Sequence, residues 1–190
     1  MAEYRTDKKV AIFLADGCEE IEALTVVDLL YRAGIPHTTV SITDTTTVVS
    51  SHKVTVIADT VIGDLNFDEF DMLVLPGGIP GTPNLGACKP LTDAVTRFAE
   101  DGKEVAAICA APSILANLGL LKGKEATCNP SFESVLEEKG AILTRKPVTV
   151  TGNLILSQGM GTAIPFGLAI VEHYLGKDTA DDLGRKILYL

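Results

Sequence analysis

The chain carries four cysteines, at positions 18, 88, 109 and 128, and one of them sits where a thiol can be made reactive. Cys109 closes the apolar run Val105-Ala106-Ala107-Ile108 and is followed at once by Ala110-Ala111-Pro112-Ser113. A buried strand that turns sharply into a helix pushes the residue at the turn out of the sheet, and only small neighbours tolerate so tight an elbow. Pro112 suits a first helical turn, where its missing N–H would lack a partner anyway. Unpaired N–H groups and the macrodipole at such a helix start favour thiolate. That predicts a lowered pKa for Cys109 and faster alkylation than at the other three cysteines. The same segment also reads as a core strand ending in a small, inert thiol, because free cysteines are commonly buried.

Three further segments place unusual residues after apolar runs: Asp16-Gly17-Cys18-Glu19-Glu20-Ile21-Glu22, Pro76-Gly77-Gly78 and Gly159-Met160-Gly161. In an open parallel sheet ligands bind at the carboxyl ends of strands, where all of these fall. The Gly77-Gly78 turn can aim backbone N–H groups at a developing oxyanion, with the Ala110 amide beside it. Glu19, Glu20 and Glu22 complement a helix dipole in a first turn. Glu22, at i+4 from Cys18, is the one aimed toward a neighbouring strand end. Buried there, its carboxyl would have a raised pKa and could donate a hydrogen bond to a thiolate.

These residues need a scaffold, and short apolar runs alternate with helical patterns throughout, the mark of an α/β domain with a mostly parallel sheet. Strands are expected at Val10–Leu14, His37–Ile42, Met72–Leu75, Val105–Ile108, Ala141–Thr144, Val148–Val150 and Leu154–Leu156, with a short one at Glu125–Cys128. Val48-Val49 and Val54–Ile57 flank Ser50-Ser51-His52-Lys53 and predict a small antiparallel hairpin. Helices are expected from Glu19 to Ala33, stopped by Gly34, then over Lys89–Asp101, from Cys109 to a stop at Gly119, and over Ser131–Lys139, Thr162–Leu175 and Asp178–Leu190. Gly77 to Pro83 reads as a loop. With 190 residues and no repeat or linker, the expectation is one domain over 1–190, burying about 70% of its unfolded surface.

Composition narrows the partners. Twenty-five acids against 16 bases give a net charge of −9, which repels phosphate backbones and anionic membranes, so neither nucleic acid nor membrane is expected. The cysteines form no C-x-x-C pair and the histidines no paired spacing; no metal, cofactor or disulfide framework is expected, and a reducing compartment is. The polar start, Met1 to Lys9, is not a signal peptide, and no run approaches the roughly 18 apolar residues of a membrane span. The expected location is cytoplasmic.

The strings G-C-E-E-I-E-A (17–23), L-P-G-G-I (75–79), A-A-I-C-A-A-P (106–112) and S-Q-G-M-G-T-A (157–163) resemble the DJ-one (ThiJ/PfpI) family across nearly the whole chain, in its deglycase and ThiJ/YajL branch. The resemblance implies a flavodoxin-like three-layer α/β sandwich and a homodimer. It implies Cys109 as nucleophile in a strained elbow, Glu22 as the protonated acid bonded to its thiolate, and Gly78 and Ala110 as backbone donors. It implies action on small aldehydes, dicarbonyls or glycated proteins: glutathione-independent glyoxalase activity converting methylglyoxal to lactate, or deglycation. The alternative it carries is non-enzymatic, a redox sensor or holdase chaperone working through oxidation of Cys109.

The departures from the family pattern are informative. Ala110 stands where protease-like branches have histidine. The branch's pocket histidine, in a T-x-H-P context, falls on Asn129 of Thr127-Cys128-Asn129-Pro130. The C-S-R hairpin becomes Ser50-Ser51-His52, so His52 replaces an arginine that the resemblance places at the dimer interface beside the residue matching Arg32. Met160 replaces a proline and is expected to line the pocket; Cys18 and Cys128 are expected near its mouth. His52 is either an exposed hairpin residue or a titratable group facing the partner's cleft.

Overall fold

Strands covered on both faces read as continuous apolar runs, and such runs build the centre of this molecule. The computed structural model describes residues 5–190, so the first four residues of the polar N-terminal stretch lie outside it. In order the chain forms β1 (Val10–Leu14), α1 (Glu20–Ala33), β2 (His37–Ser41), β3 (Thr47–Val49), β4 (Thr55–Ile57), β5 (Thr60–Val61), β6 (Met72–Leu75), α2 (Gly81–Ala87) and α3 (Lys89–Glu100). Then follow β7 (Glu104–Ile108), α4 (Pro112–Asn117), β8 (Glu125–Ala126), α5 (Glu133–Glu138), β9 (Ile142–Leu143), β10 (Val148–Thr151), β11 (Leu154–Ser157), α6 (Ala163–Leu175) and α7 (Lys177–Lys186).

Seven strands make the main sheet in the order β10-β11-β7-β6-β1-β2-β5. All neighbours are parallel except the edge pair β10–β11. The expected hairpin, β3–β4, stands apart as a small antiparallel sheet, and β8–β9 form a separate two-stranded parallel sheet. Alternation along β1 sorts its side chains: Val10, Ile12 and Leu14 join a core with α1, α6 and α7, whereas Ala11 and Phe13 join one with α2 to α5. The result is the expected three-layer α/β sandwich. From β1 the chain leaves through α1 to β2 on one side, while β6 flanks β1 on the other, which makes the carboxyl ends of β1 and β6 a topological switch point.

Local chemistry sets the ends of α1. Glu19 caps it, its Oε2 accepting the Glu22 N–H at 2.7 Å, and Gly34 closes it with φ 73°. Three segments differ from the sequence expectation. Gly81–Ala87 is a helix, although its glycines and proline read as loop; Leu85 is fully buried and anchors it. Tertiary packing there overrides poor propensity. Thr60-Val61 forms a two-residue edge strand on β2, too short to show a period. The last helix stops at Lys186, where the amides of Tyr189 and Leu190 fold back onto the Gly184 carbonyl and Leu188 takes φ 62°. Among the described residues no helix is long and apolar enough to cross a membrane.

Candidate active site

Cys109 follows β7 at φ 65°, a left-handed conformation that costs a non-glycine residue free energy and survives only where its surroundings hold it. Two backbone bonds do so: its N–H donates to the Ser157 carbonyl at 3.0 Å, and its carbonyl accepts the Asn129 N–H at 2.8 Å. The strand is clamped from β11 on one side and from the loop after β8 on the other. Pro112 opens α4, as expected.

Glu22 lies in the first turn of α1, 1% exposed, and meets Cys109 across the ends of β1 and β7. Its Oε2 accepts the Gly77 N–H at 2.8 Å, and it hydrogen-bonds the Cys109 thiol and the Met160 amide. Burial pushes its carboxyl up to about 7, against the bonds from Cys109 and the Gly77 amide and with a contribution from the Glu19 carboxylate. Among the described residues no cationic side chain is a partner of Glu22. Gly77 must be glycine, since a Cβ there would lie 2.6 Å from Cys109 Cβ and 2.7 Å from Glu22 Oε2. Gly78, at φ 93°, would collide with the backbone of Gly17 to Glu19. Both glycines let β6 deliver its amides into the crevice.

The thiol corrects one expectation. Burial, then the charge and hydrogen bond of Glu22, push the Cys109 pKa up to about 12, while the Ala110 and Gly78 amides pull it down. The helix-terminus argument fails because α4 has only six residues and begins at Pro112, whereas Glu22 is in contact. The sign of the Glu22 contribution follows its protonation: a carboxylate repels the thiolate, but a neutral carboxyl donates to it. Thiol and carboxyl therefore titrate as a pair.

The remaining candidates separate into two groups. Asn129 joins the site: a carbon placed where a Gly159 side chain would start lies 3.7 Å from Asn129 Nδ2 and 3.9 Å from both Cys109 Sγ and Glu22 Oε1. Met160 reaches it through its backbone amide, while its side chain is 54% exposed. Cys18 does not sit at a mouth. It is 2% exposed, packed in the α1 core, and burial pushes its thiol up to about 11. Cys128 is likewise buried. Arg32 points to solvent and pairs with Asp28 at 2.6 Å. His52 Nδ1 lies 3.1 Å from Glu20 Oε2 and 3.9 Å from Glu19 Oε1, on the outer side of α1. The ligand atoms of these three residues fall within 4.8 Å of one another, at a helix start whose dipole disfavours a cation. Sequence reasoning assigned the Gly77 amide to an oxyanion turn, whereas it donates to Glu22, and it gave Ser157 and Gly159 no role. All three lie within the motifs named above, but which amide or carbonyl faces inward depends on strand register.

Known proteins resemble this chain in sequence and share its fold. The model of the DJ-1/PfpI family matches residues 8–173. The chain is 39% identical over 176 residues to Protein DJ-1 homolog B of Arabidopsis thaliana, covering 91% of this chain and 40% of that one. With homolog A it is 37% identical over 182 residues, covering 95% and 46%, so it spans less than half of either plant protein. Glutathione-independent glyoxalase DJR-1.2 of Caenorhabditis elegans is 28% identical over 168 residues, covering 88% of this chain and 89% of that one. The crystal structure of Drosophila melanogaster DJ-1beta superposes with a TM-score of 0.92 at 35% identity, covering 97% of this chain and 100% of that chain. With the match running through β1, β6, β7 and β11, the four strands whose ends build the crevice, this chain belongs to the DJ-1/PfpI family.

Proposed function

We propose that the chain is a cysteine-dependent enzyme acting on small reactive dicarbonyls, converting methylglyoxal to lactate without glutathione. One observation carries the reading: a thiol held at φ 65° hydrogen-bonds a buried carboxyl whose pKa is raised to about 7, with the Ala110 and Gly78 amides beside it. The reactive form is the tautomer of the pair in which Cys109 is thiolate and Glu22 is neutral. The thiolate adds to the aldehyde carbon, the carbonyl pair moves to oxygen, and Glu22 supplies the proton that completes a hemithioacetal. The amides hold the oxyanion as it forms. Glu22, now a carboxylate, takes the C1 hydrogen as a proton and returns it to C2, while the proton of the C1 hydroxyl passes to the C2 oxygen. C1 is oxidised and C2 reduced within the adduct, and water releases lactate from the resulting thioester. The name of the worm relative supports this substrate class. The test is lactate from pure protein and methylglyoxal, compared with Cys109→Ser; no lactate from the wild type sinks the reading. Deglycation of glycated protein would use the same thiol.

A second reading, a redox sensor or holdase chaperone, draws on the same donors, which would hold the oxygens of a Cys109 sulfinate. Mass spectrometry after graded peroxide separates it: sulfinate at Cys109 without dicarbonyl turnover favours it.

The homodimer reading rests on the outer face of α1. A groove of about 600 Å³ runs there, lined by Ile21, Leu24, Arg32, Ile164 and Leu188 among others, and Ile21 and Leu24 are 45% and 38% exposed. Arg32 and His52 lie on or beside this face, where a partner would cover them. Light scattering with Leu24→Glu tests it, a monomer being the expected result. Four free cysteines fit a reducing, cytoplasmic setting.

A further inference from the structure

Asn129 stands where the family pattern has a histidine, and its surroundings fix which end of its amide faces the thiol. Its backbone N–H donates to the Cys109 carbonyl at 2.8 Å, and its Oδ1 accepts the Ser131 N–H at 3.0 Å. An amide oxygen used this way leaves the NH2 group turned inward, a donor with no acceptor capacity. Gly159 completes the observation. A Cβ there would touch Nδ2, Sγ and Glu22 Oε1 at 3.7, 3.9 and 3.9 Å, all ordinary van der Waals distances. The Gly159 backbone is extended, φ 162° and ψ −171°, which any residue adopts. Neither strain nor crowding calls for glycine at this position. What its absent side chain leaves is a carbon-sized space bounded by a nucleophile, a proton carrier and a hydrogen-bond donor.

We propose that Asn129 is a specificity-determining residue: its Nδ2–H donates to the oxygen on the carbon next to the aldehyde, so the site prefers 2-oxoaldehydes over simple aldehydes, with the reacting carbon seated in the space Gly159 leaves open. The inference rests on the dicarbonyl reading above. A reacting carbon over this space comes within attack range of Sγ after a small approach, since near-attack distances are about 3–3.5 Å. When Glu22 removes the C1 proton, the electron pair passes to the C2 oxygen, and the amide donor meets the charge that develops there. A histidine at 129 could exchange a proton with that oxygen. An amide cannot, which leaves Glu22 as the one group of the three that transfers protons.

The experiment measures reversible thiol adducts by ¹³C NMR with methylglyoxal and with propanal, which lacks the second oxygen, so the result does not depend on turnover. Asn129→Asp keeps an acceptor for the Ser131 N–H and loses the donor; Asn129→Ala loses both. Both variants should lower adduct affinity for methylglyoxal by about 10-fold, the worth of one hydrogen bond, and leave propanal unchanged. Gly159→Ala should keep the wild-type melting temperature while weakening both adducts, because it fills the space. Equal losses for the two aldehydes in Asn129→Asp, no loss in either, or no adduct with wild type would each overturn the inference. If selectivity changes as expected but wild type makes no lactate, the turnover reading fails and the role of Asn129 stands.

Discussion

The two ends of the central sheet solve opposite problems with the same strands. At the amino ends of β1, β6 and β7, charged groups meet charged or polar partners. Asp71 accepts the Lys8 ammonium and the Lys9 N–H, both at 2.9 Å, and Glu104 takes His173 at 3.0 Å and the Tyr174 hydroxyl at 3.4 Å. Burial alone would raise the Asp71 carboxyl, but the Lys9 N–H and the Lys8 ammonium outweigh it and hold it below the usual range. At the carboxyl ends of the same three strands, Glu22 is buried against amides and a thiol, and Cys109 holds a left-handed backbone. One end spends its charges on mutual attraction. The other holds an acid whose ionised form lacks a counter-charge, and that unease makes a proton available near neutral pH.

The comparison breaks most visibly at the thiol. Cys109→Ser should lower methylglyoxal consumption by about 1000-fold or more, as loss of a nucleophile does, whereas Asp71→Asn should leave consumption unchanged. Lactate assays on the two purified variants check this.

Glu22→Gln should cost about 100-fold or more in turnover, the range for a general acid–base group. It should also change how stability depends on pH. The carboxyl is raised from 4.5 to about 7 in the folded protein, so its stabilising contribution is full below about 4.5 and is lost as pH rises through about 7. Urea melts at pH 4.5 and 8 should show the wild type losing up to about 3 kcal/mol relative to Glu22→Gln over that window. Parallel curves would mean that Glu22 titrates normally and that the carboxyl end is no different from the amino end.

Asp71→Asn probes the paired end with the opposite sign. A carboxyl held below 3.8 stabilises the fold above that pH and stops doing so as pH falls through its folded value. The variant should be about 1 kcal/mol less stable at pH 7, and the difference should shrink as pH falls below 3.8, read from melts at pH 7 and across the acid range. The smallest effect belongs to His52. Its pair with Glu20 is largely exposed, so His52→Ala should cost under about 0.5 kcal/mol by the same measurement.

Much of this was legible in the residues. The fully buried runs of β1, β6 and β7 show their strands without ambiguity, and Gly34 and Pro112 mark helix boundaries by their own backbone chemistry. Gly77-Gly78 and Cys109 announce a site because small residues beside a thiol suit only a tight crevice. The helix over Gly81–Ala87 was not legible, since Leu85 buries itself in a core assembled from distant strands. Nor was the burial of Cys18, which depends on α1 lying across the sheet with α6.

The chain by itself determined which side chains can do chemistry, Cys109 and Glu22 above all, and that both fall at strand ends of an α/β sheet. The motifs that carry its resemblance to the family also marked His52, Asn129 and Met160 as the expected departures from that pattern. Only the tertiary structure decided the direction of the thiol's pKa. A helix dipole acts along the sequence, but burial, and then a carboxyl brought in from the first turn of α1, outweigh it. It decided, too, that Asn129 faces the thiol while Arg32 and His52 face away, because strand register and helix rotation set where each side chain points. Electrostatic effects fall off with distance through space, and sequence separation does not measure that distance.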